Sequence, residues 1–101
     1  MVNLYRRGWI AEKKTANYLE EKGFTGIRRS AGSRGAADIY ARGPEGDKFY
    51  IQVKSYSARP TNEEIRRLRA VARERYGVAA VIHRDEKGRH RWKFLGNWSR
   101  R

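Results

Sequence analysis

Two short stretches of the chain alternate apolar and polar positions with the two-residue period of a β-strand: Ala36-Ala37-Asp38-Ile39-Tyr40-Ala41-Arg42 and Lys48-Phe49-Tyr50-Ile51-Gln52-Val53-Lys54. The five residues between them, Gly43-Pro44-Glu45-Gly46-Asp47, are turn formers, so the two stretches read as the arms of one hairpin centred near residue 45. Pairing about that centre sets Asp38 opposite Gln52. It predicts an apolar face of Ala37, Ile39, Ala41, Phe49, Ile51 and Val53, and a second face shared by Asp38, Tyr40, Gln52 and Lys54.

The helical period appears on either side of this hairpin. Residues from about Arg7 to Lys22 predict a helix stopped by Gly23, with Trp9, Glu12, Ala16 and Leu19 on its buried stripe. A carboxylate on such a stripe is costly unless it is paired or bound to a cation, which singles out Glu12 from Glu20 and Glu21. Phe24 to Ser30 predicts a short strand. Ala31-Gly32-Ser33-Arg34-Gly35 is a small, flexible loop of the kind that can approach a phosphate closely. Thr61 or Asn62 can cap a second helix running to about Tyr76, with Ile65, Leu68, Ala72 and Tyr76 inward and a basic outer face. Val78 to Ile82 reads as a buried strand, Asp85 to Gly88 as a turn and Arg91 to Leu95 as the last strand. The expected order is helix, three strands, helix, two strands in a single domain over residues 1–101, with residues 96–101 as a frayed tail.

Charge changes the picture. The 24 Lys and Arg against 11 Asp and Glu give a formal net charge of +13, which implies a polyanionic partner, nucleic acid before an anionic membrane surface. No apolar run approaches the roughly 18 residues of a membrane span, and nothing resembles a signal peptide, so a cytoplasmic, soluble protein is expected. The absence of cysteine excludes disulfides, thiol catalysis and cysteine-ligated zinc, while a hard-cation site built from oxygen atoms remains open. An acid, an amide and an amine converging on one sheet face, at Asp38, Gln52 and Lys54, point to metal-dependent phosphodiester hydrolysis. The plain alternative is a cross-strand ion pair of Asp38 with Lys54 on a solvated face, of little energetic value. His83 and His90 flank the last hairpin and carry no expected chemistry.

Taken in order, Arg7-Gly8 ahead of Glu12, Gly23-Phe24, Gly32-Ser33-Arg34-Gly35 before Asp38-Ile39, Ile51-Gln52-Val53-Lys54 and the basic helix with its Gly77 turn resemble the archaeal-type Holliday junction resolvases. These are small members of the PD-(D/E)xK nuclease superfamily, and the match runs from about Arg6 to Val81. The resemblance implies an α/β restriction-endonuclease-like fold with a central mixed five-stranded sheet flanked by helices. It also implies a homodimer, Mg²⁺ with Mn²⁺ as a substitute, and cleavage of four-way DNA junctions. Carried onto this sequence, it makes Glu12, Asp38, Gln52 and Val53 the metal ligands. Lys54 would orient or deprotonate the attacking water, and Ser33 and Arg34 would hold the phosphate. DNA contacts would come from Arg6, Arg7, Lys13, Arg34, Arg59 and Arg66.

Two residues depart from the family pattern. Ala37 stands where proline often precedes the aspartate, which extended backbone tolerates. Gln52 stands where the family usually has glutamate. It removes one negative charge but keeps a carbonyl oxygen for a hard cation, and transposon-encoded endonucleases of the TnsA type are similar in using a Gln-x-Lys triplet. The alternatives are a related nickase or end-processing endonuclease, and a silent DNA-binding protein that keeps the fold.

Overall fold

The computed structural model describes residues 4–30 and 35–99, with side chains from Trp9 onward. Ser33 and Arg34, and the side chains of Arg6 and Arg7, lie outside the described residues.

Helix α1 (Leu4–Glu21) ends as its sequence predicts. Gly23 takes φ +90°, the Gly23 N–H donates to Glu20 O at 3.1 Å and the Phe24 N–H to Leu19 O at 3.0 Å, a Schellman closure that a side chain at residue 23 would strain. The buried stripe is rotated from the expected one. Ala11, Thr15 and Leu19 are the residues driven into the core, Trp9 is 47% exposed, and Glu12 sits half-buried at the margin. Ala11 and Thr15 are small enough to let the helix axis approach the sheet, and that places Trp9 outside.

The five strands are β1 (Thr25–Arg29), β2 (Ile39–Arg42), β3 (Lys48–Ser55), β4 (Val78–Arg84) and β5 (His90–Asn97). They form one sheet in the order β1-β2-β3-β4-β5. Helix α2 (Asn62–Glu74) carries the chain from β3 to β4, which pair in parallel, and every other pairing is antiparallel. This is the mixed, helix-flanked five-stranded sheet expected.

The hairpin register agrees with the sequence from Ile39 onward, with Ile39 opposite Ile51, Tyr40 opposite Tyr50 and Ala41 opposite Phe49. Before Ile39 it departs. The Asp38 N–H donates to Ile51 O at 2.9 Å, so the chain slips off the regular ladder by one position and Asp38 does not sit squarely opposite Gln52. The same slip turns Ala37 away from Ile39. Ala37 packs with Tyr50, Leu68, Ala72 and Ala79 in the cluster under α2, while Ile39, Ile51, Val53 and Ile82 pack with Leu19 under α1.

Helix α2 begins with Thr61 as N-cap in a full capping box with Glu64, and Leu68 and Ala72 are its buried residues. Tyr76 is 54% exposed, because the helix stops at Glu74 and Tyr76 takes φ +55°, outside the helical period. Gly77 follows at a close approach: a Cβ there would lie 2.6 Å from the Tyr50 ring and 2.8 Å from Lys48 O. Its carbonyl accepts from the Trp98 N–H at 2.8 Å. That bond, together with β5 reaching Asn97 and Trp98 packing under α2, shows that residues 96–98 are anchored to the fold rather than frayed. His90, at the start of β5, stacks its ring on Tyr18 at 4.3 Å. Among the described residues no helix is long and apolar enough to cross a membrane.

Candidate functional site

Four elements line a cleft of about 270 Å³. Helix α1 brings Glu12, the approach to β2 brings Asp38, and β3 brings Gln52, Val53 and Lys54. Helix α2 adds Glu64 and Arg67, neither of them among the site residues expected from sequence.

Each side chain has a local cause for its position. Asp38 lies where the backbone slips off the ladder and lines the cleft, and its Oδ2 accepts the Val53 N–H at 2.8 Å. Gln52 is only 6% exposed, and its Nε2 donates to Ala36 O at 3.1 Å. That bond fixes the amide so that Oε1 is the acceptor left for the cleft. Lys54 Nζ pairs with Glu64 Oε2 at 2.9 Å. Glu64 in turn accepts the Thr61 N–H on Oε1 at 2.9 Å, so the cap of α2 holds the lysine from behind.

The electrostatics separate the three carboxylates. Burial raises the Glu12 carboxyl to about 7, the Asp38 charge pushes it the same way, and Arg29 opposes both. Asp38 is raised too, first by burial, against the Val53 hydrogen bond and the Lys54 charge. Burial also pushes Glu64 upward, but the Thr61 bond and the pairing with Lys54 outweigh it and hold that carboxyl below its usual range. Two acids that resist ionising beside each other, and one that ionises readily on a lysine, are a division of labour found at reactive sites more than in plain ion-pair lattices.

A hard cation fits this donor set. Glu12 and Asp38 supply two carboxylates whose mutual repulsion a cation would relieve, and Gln52 Oε1 and the Val53 main chain add neutral oxygens at the same cleft. Among the described residues no group of three or more Asp, Glu, His or Cys is arranged to hold a metal ion, so the neutral oxygens would have to complete the set. The Lys54 partner is Glu64 rather than Asp38, so the simple cross-strand pair is not what forms.

The remaining expected residues scatter. Lys13 is exposed with its Nζ over the Trp9 ring at 5.3 Å, and Arg59 lies against His83 and Ala58 O. Arg66 is exposed and pairs with Glu63, while its neighbour Arg67 lines the cleft. Ser33 and Arg34 would lie between Ser30 and Gly35, outside the described residues. Glu64 could have been found from sequence: the Thr61-x-x-Glu64 box predicts a carboxylate at the start of α2, and a parallel crossover returns that helix start to the end of β3, where Lys54 is.

The restriction endonuclease family Mrr_cat matches residues 11–90. Among solved structures the chain is similar to that of Archaeoglobus fulgidus Hjc, a Holliday junction resolvase from an archaeal hyperthermophile. The TM-score is 0.74 with 25% sequence identity, over 88% of this chain and 73% of that one. No curated protein sequence matches.

Proposed function

As the chain belongs to the restriction endonuclease family, we propose that it is a metal-dependent, structure-selective DNA endonuclease that cuts four-way junctions as a homodimer. The observation that carries this reading is the convergence of Glu12, Asp38, Gln52 and Lys54 at one cleft of a chain with net charge +13. The likeness to a Holliday junction resolvase supports the choice of substrate.

Mg²⁺, or Mn²⁺ in its place, would be held by Glu12, Asp38, the Gln52 side-chain oxygen and the Val53 carbonyl. When bound it supplies Lewis-acid stabilisation of the charge building on the phosphate. The chain's own residues do the rest. Asp38, fixed by the Val53 N–H, holds one donor oxygen in a set direction. Lys54, braced by Glu64, presents an ammonium to the scissile phosphate and orients the attacking water. Ser33 and Arg34 would hold the same phosphate, and Arg6, Arg7, Lys13, Arg59 and Arg66 would contact the DNA backbone, which fits selection by shape rather than by base sequence. A two-fold dimer would present two clefts to opposed strands of the junction, and a DNA substrate implies an intracellular location.

The test is cleavage of a labelled four-way junction beside linear duplex and single strand, with Mg²⁺, Mn²⁺ or EDTA, and with Asp38→Asn as the control for contaminating nuclease. Paired metal-dependent incisions near the crossover that vanish in Asp38→Asn are expected. Cutting of linear DNA alone would move the assignment to a nickase or end-processing enzyme, and tight binding without cutting would make the fold a DNA-binding platform.

A further inference from the structure

The two helices do not cover the sheet equally. Helix α2 packs on β3, β4 and β5, and α1 packs on β1, β3 and β4. The face of β1 and β2 on the α2 side is therefore left as an open groove of about 840 Å³, bounded by Val71 of α2 and Arg75, which caps that helix at its C-terminus. Strand register fixes what stands there. Arg28 pairs with Tyr40 and Tyr40 with Tyr50, and Arg42 and Lys48, opposite each other, lie two residues along on the same face. The floor is the Tyr40 and Tyr50 rings, edge to face at 5.6 Å. Its rim is cationic, and no carboxylate lines it among the described residues. Burial raises the Tyr50 phenol, and Arg75, Arg28 and Arg42 are close enough to pull it back.

The groove adjoins the cleft described above. Gly35 lines the cleft, and a Cβ on Gly35 would lie 3.1 Å from the Tyr40 hydroxyl in the groove. A strand whose scissile phosphate sits at Asp38 would therefore meet this groove within a few nucleotides. A second copy of the chain is a poor occupant, since it would set one row of arginines against another.

We propose that this face, built from Arg28, Arg42, Lys48 and Arg75 over Tyr40 and Tyr50, is the track for the sugar-phosphate backbone of the DNA arm leaving the cleft. The inference rests on the nucleic-acid reading of the cleft, but it concerns binding and holds whether or not the protein cuts. Lys and Arg on such a track hold phosphates by charge and so should register in the salt dependence of binding.

The experiment compares the wild-type chain with a triple variant Arg42→Gln, Lys48→Gln, Arg75→Gln, and with Lys87→Gln, Arg91→Gln, Lys93→Gln, which removes the same charge from the β4–β5 hairpin. Junction binding is measured across a salt series. The groove variant should lose at least about tenfold in affinity near physiological salt, with the slope of log K against log salt shallower by about 2 to 3, close to 0.9 for each lost contact. The hairpin variant should change the slope by less than about 1. Equal losses in the two variants would overturn the groove. Should the triple variant fail to fold, the absence of native cysteine allows a second readout. Lys48→Cys should be shielded from maleimide alkylation by junction DNA, and Lys93→Cys should not. Unshielded Lys48→Cys in DNA-saturated protein would overturn the proposal, and so would shielding that follows protein concentration without DNA. A wild-type chain that binds no DNA would overturn the functional reading and the groove with it, whereas one that binds without cutting would overturn the former alone.

Discussion

Lys54 Nζ lies 2.9 Å from Glu64 Oε2, and the other oxygen of that carboxylate caps the helix that follows. One residue thus joins the stability of α2 to the position of the amine in the cleft. Both groups are partly sheltered, with side chains 20% and 31% exposed, so the pair is less screened than a surface bridge.

Glu64→Gln should separate these two roles. Glutamine can still accept the Thr61 N–H, so the capping box survives and the melting temperature should move little. The charge that braces Lys54 is gone, and cleavage should fall by about tenfold through misplacement of the amine. Glu64→Ala also loses the bond from the Thr61 N–H, while Thr61 Oγ1 still accepts the residue-64 N–H, and should cost about 1 kcal/mol of stability in addition. Thermal melts and single-turnover cleavage rates on the two variants check this. A Glu64→Gln rate equal to wild type would show that Lys54 needs no brace.

Gln52→Glu is expected to act in opposite directions with and without metal. The added charge should tighten binding of Mg²⁺ or Mn²⁺ and keep or raise activity. Without metal, a carboxylate would replace the Nε2 donor that now sits 3.1 Å from Ala36 O in a position only 6% exposed. Leaving that carbonyl unpaired beside a buried charge costs roughly 1–3 kcal/mol. Melting curves in EDTA and in Mg²⁺ should therefore diverge more for the variant than for wild type. Parallel shifts would mean that Gln52 does not face the metal.

The hairpin register and the order of elements were legible because each rests on local pattern: alternation in Ile39 to Arg42 and Lys48 to Lys54, glycine at position 23, a capping box at Thr61. What was not legible is what depends on packing between elements. Trp9 and Ala11 are both apolar, and only the closeness of α1 to the sheet decides that Ala11 goes in and Trp9 stays out. Ala37 changes face because the backbone slips by one residue at Asp38, a step that alternation cannot announce. Asp38, Gln52, Lys54 and Glu12 stood out from sequence by residue type and resemblance, whereas Glu64 and Arg67 reach the cleft through the β3–α2–β4 crossover.

Asp38→Asn should separate the chemistry from the scaffold. Its side-chain oxygen can still accept the Val53 N–H, so the fold should hold, while the loss of charge should abolish cleavage and leave junction binding intact. Asp38→Ala orphans that amide and should cost about 1–3 kcal/mol as well. Cleavage, junction binding and chemical denaturation on the two variants test this. Cleavage by Asp38→Asn at the wild-type rate would remove Asp38 from the site.

On the proposed ligand role, the protonation of Glu12 should set the pH dependence. With its carboxyl raised to about 7, a cation held there would have to displace a proton below that pH. Apparent Mg²⁺ affinity and cleavage should therefore rise as pH increases from about 6 to 8 and level off above. The same shift acts on stability with a definite sign. Between the ordinary value of 4.5 and about 7 the folded chain binds more protons at this group than the unfolded chain does, so stability falls as pH rises through that window. Glu12→Gln removes the loss. In EDTA the variant should be more stable than wild type at pH 8, by roughly 1 kcal/mol because solvent screens a half-exposed group, and no more stable near pH 4. Its Mg²⁺ affinity should be weak, and the part of the pH dependence owed to Glu12 should vanish. Denaturation midpoints at the two pH values, with metal titrations from pH 6 to 8, measure both effects. A variant whose metal affinity climbs with pH as steeply as wild type would mean that the titrating ligand is another group, with the raised Asp38 carboxyl the next to examine.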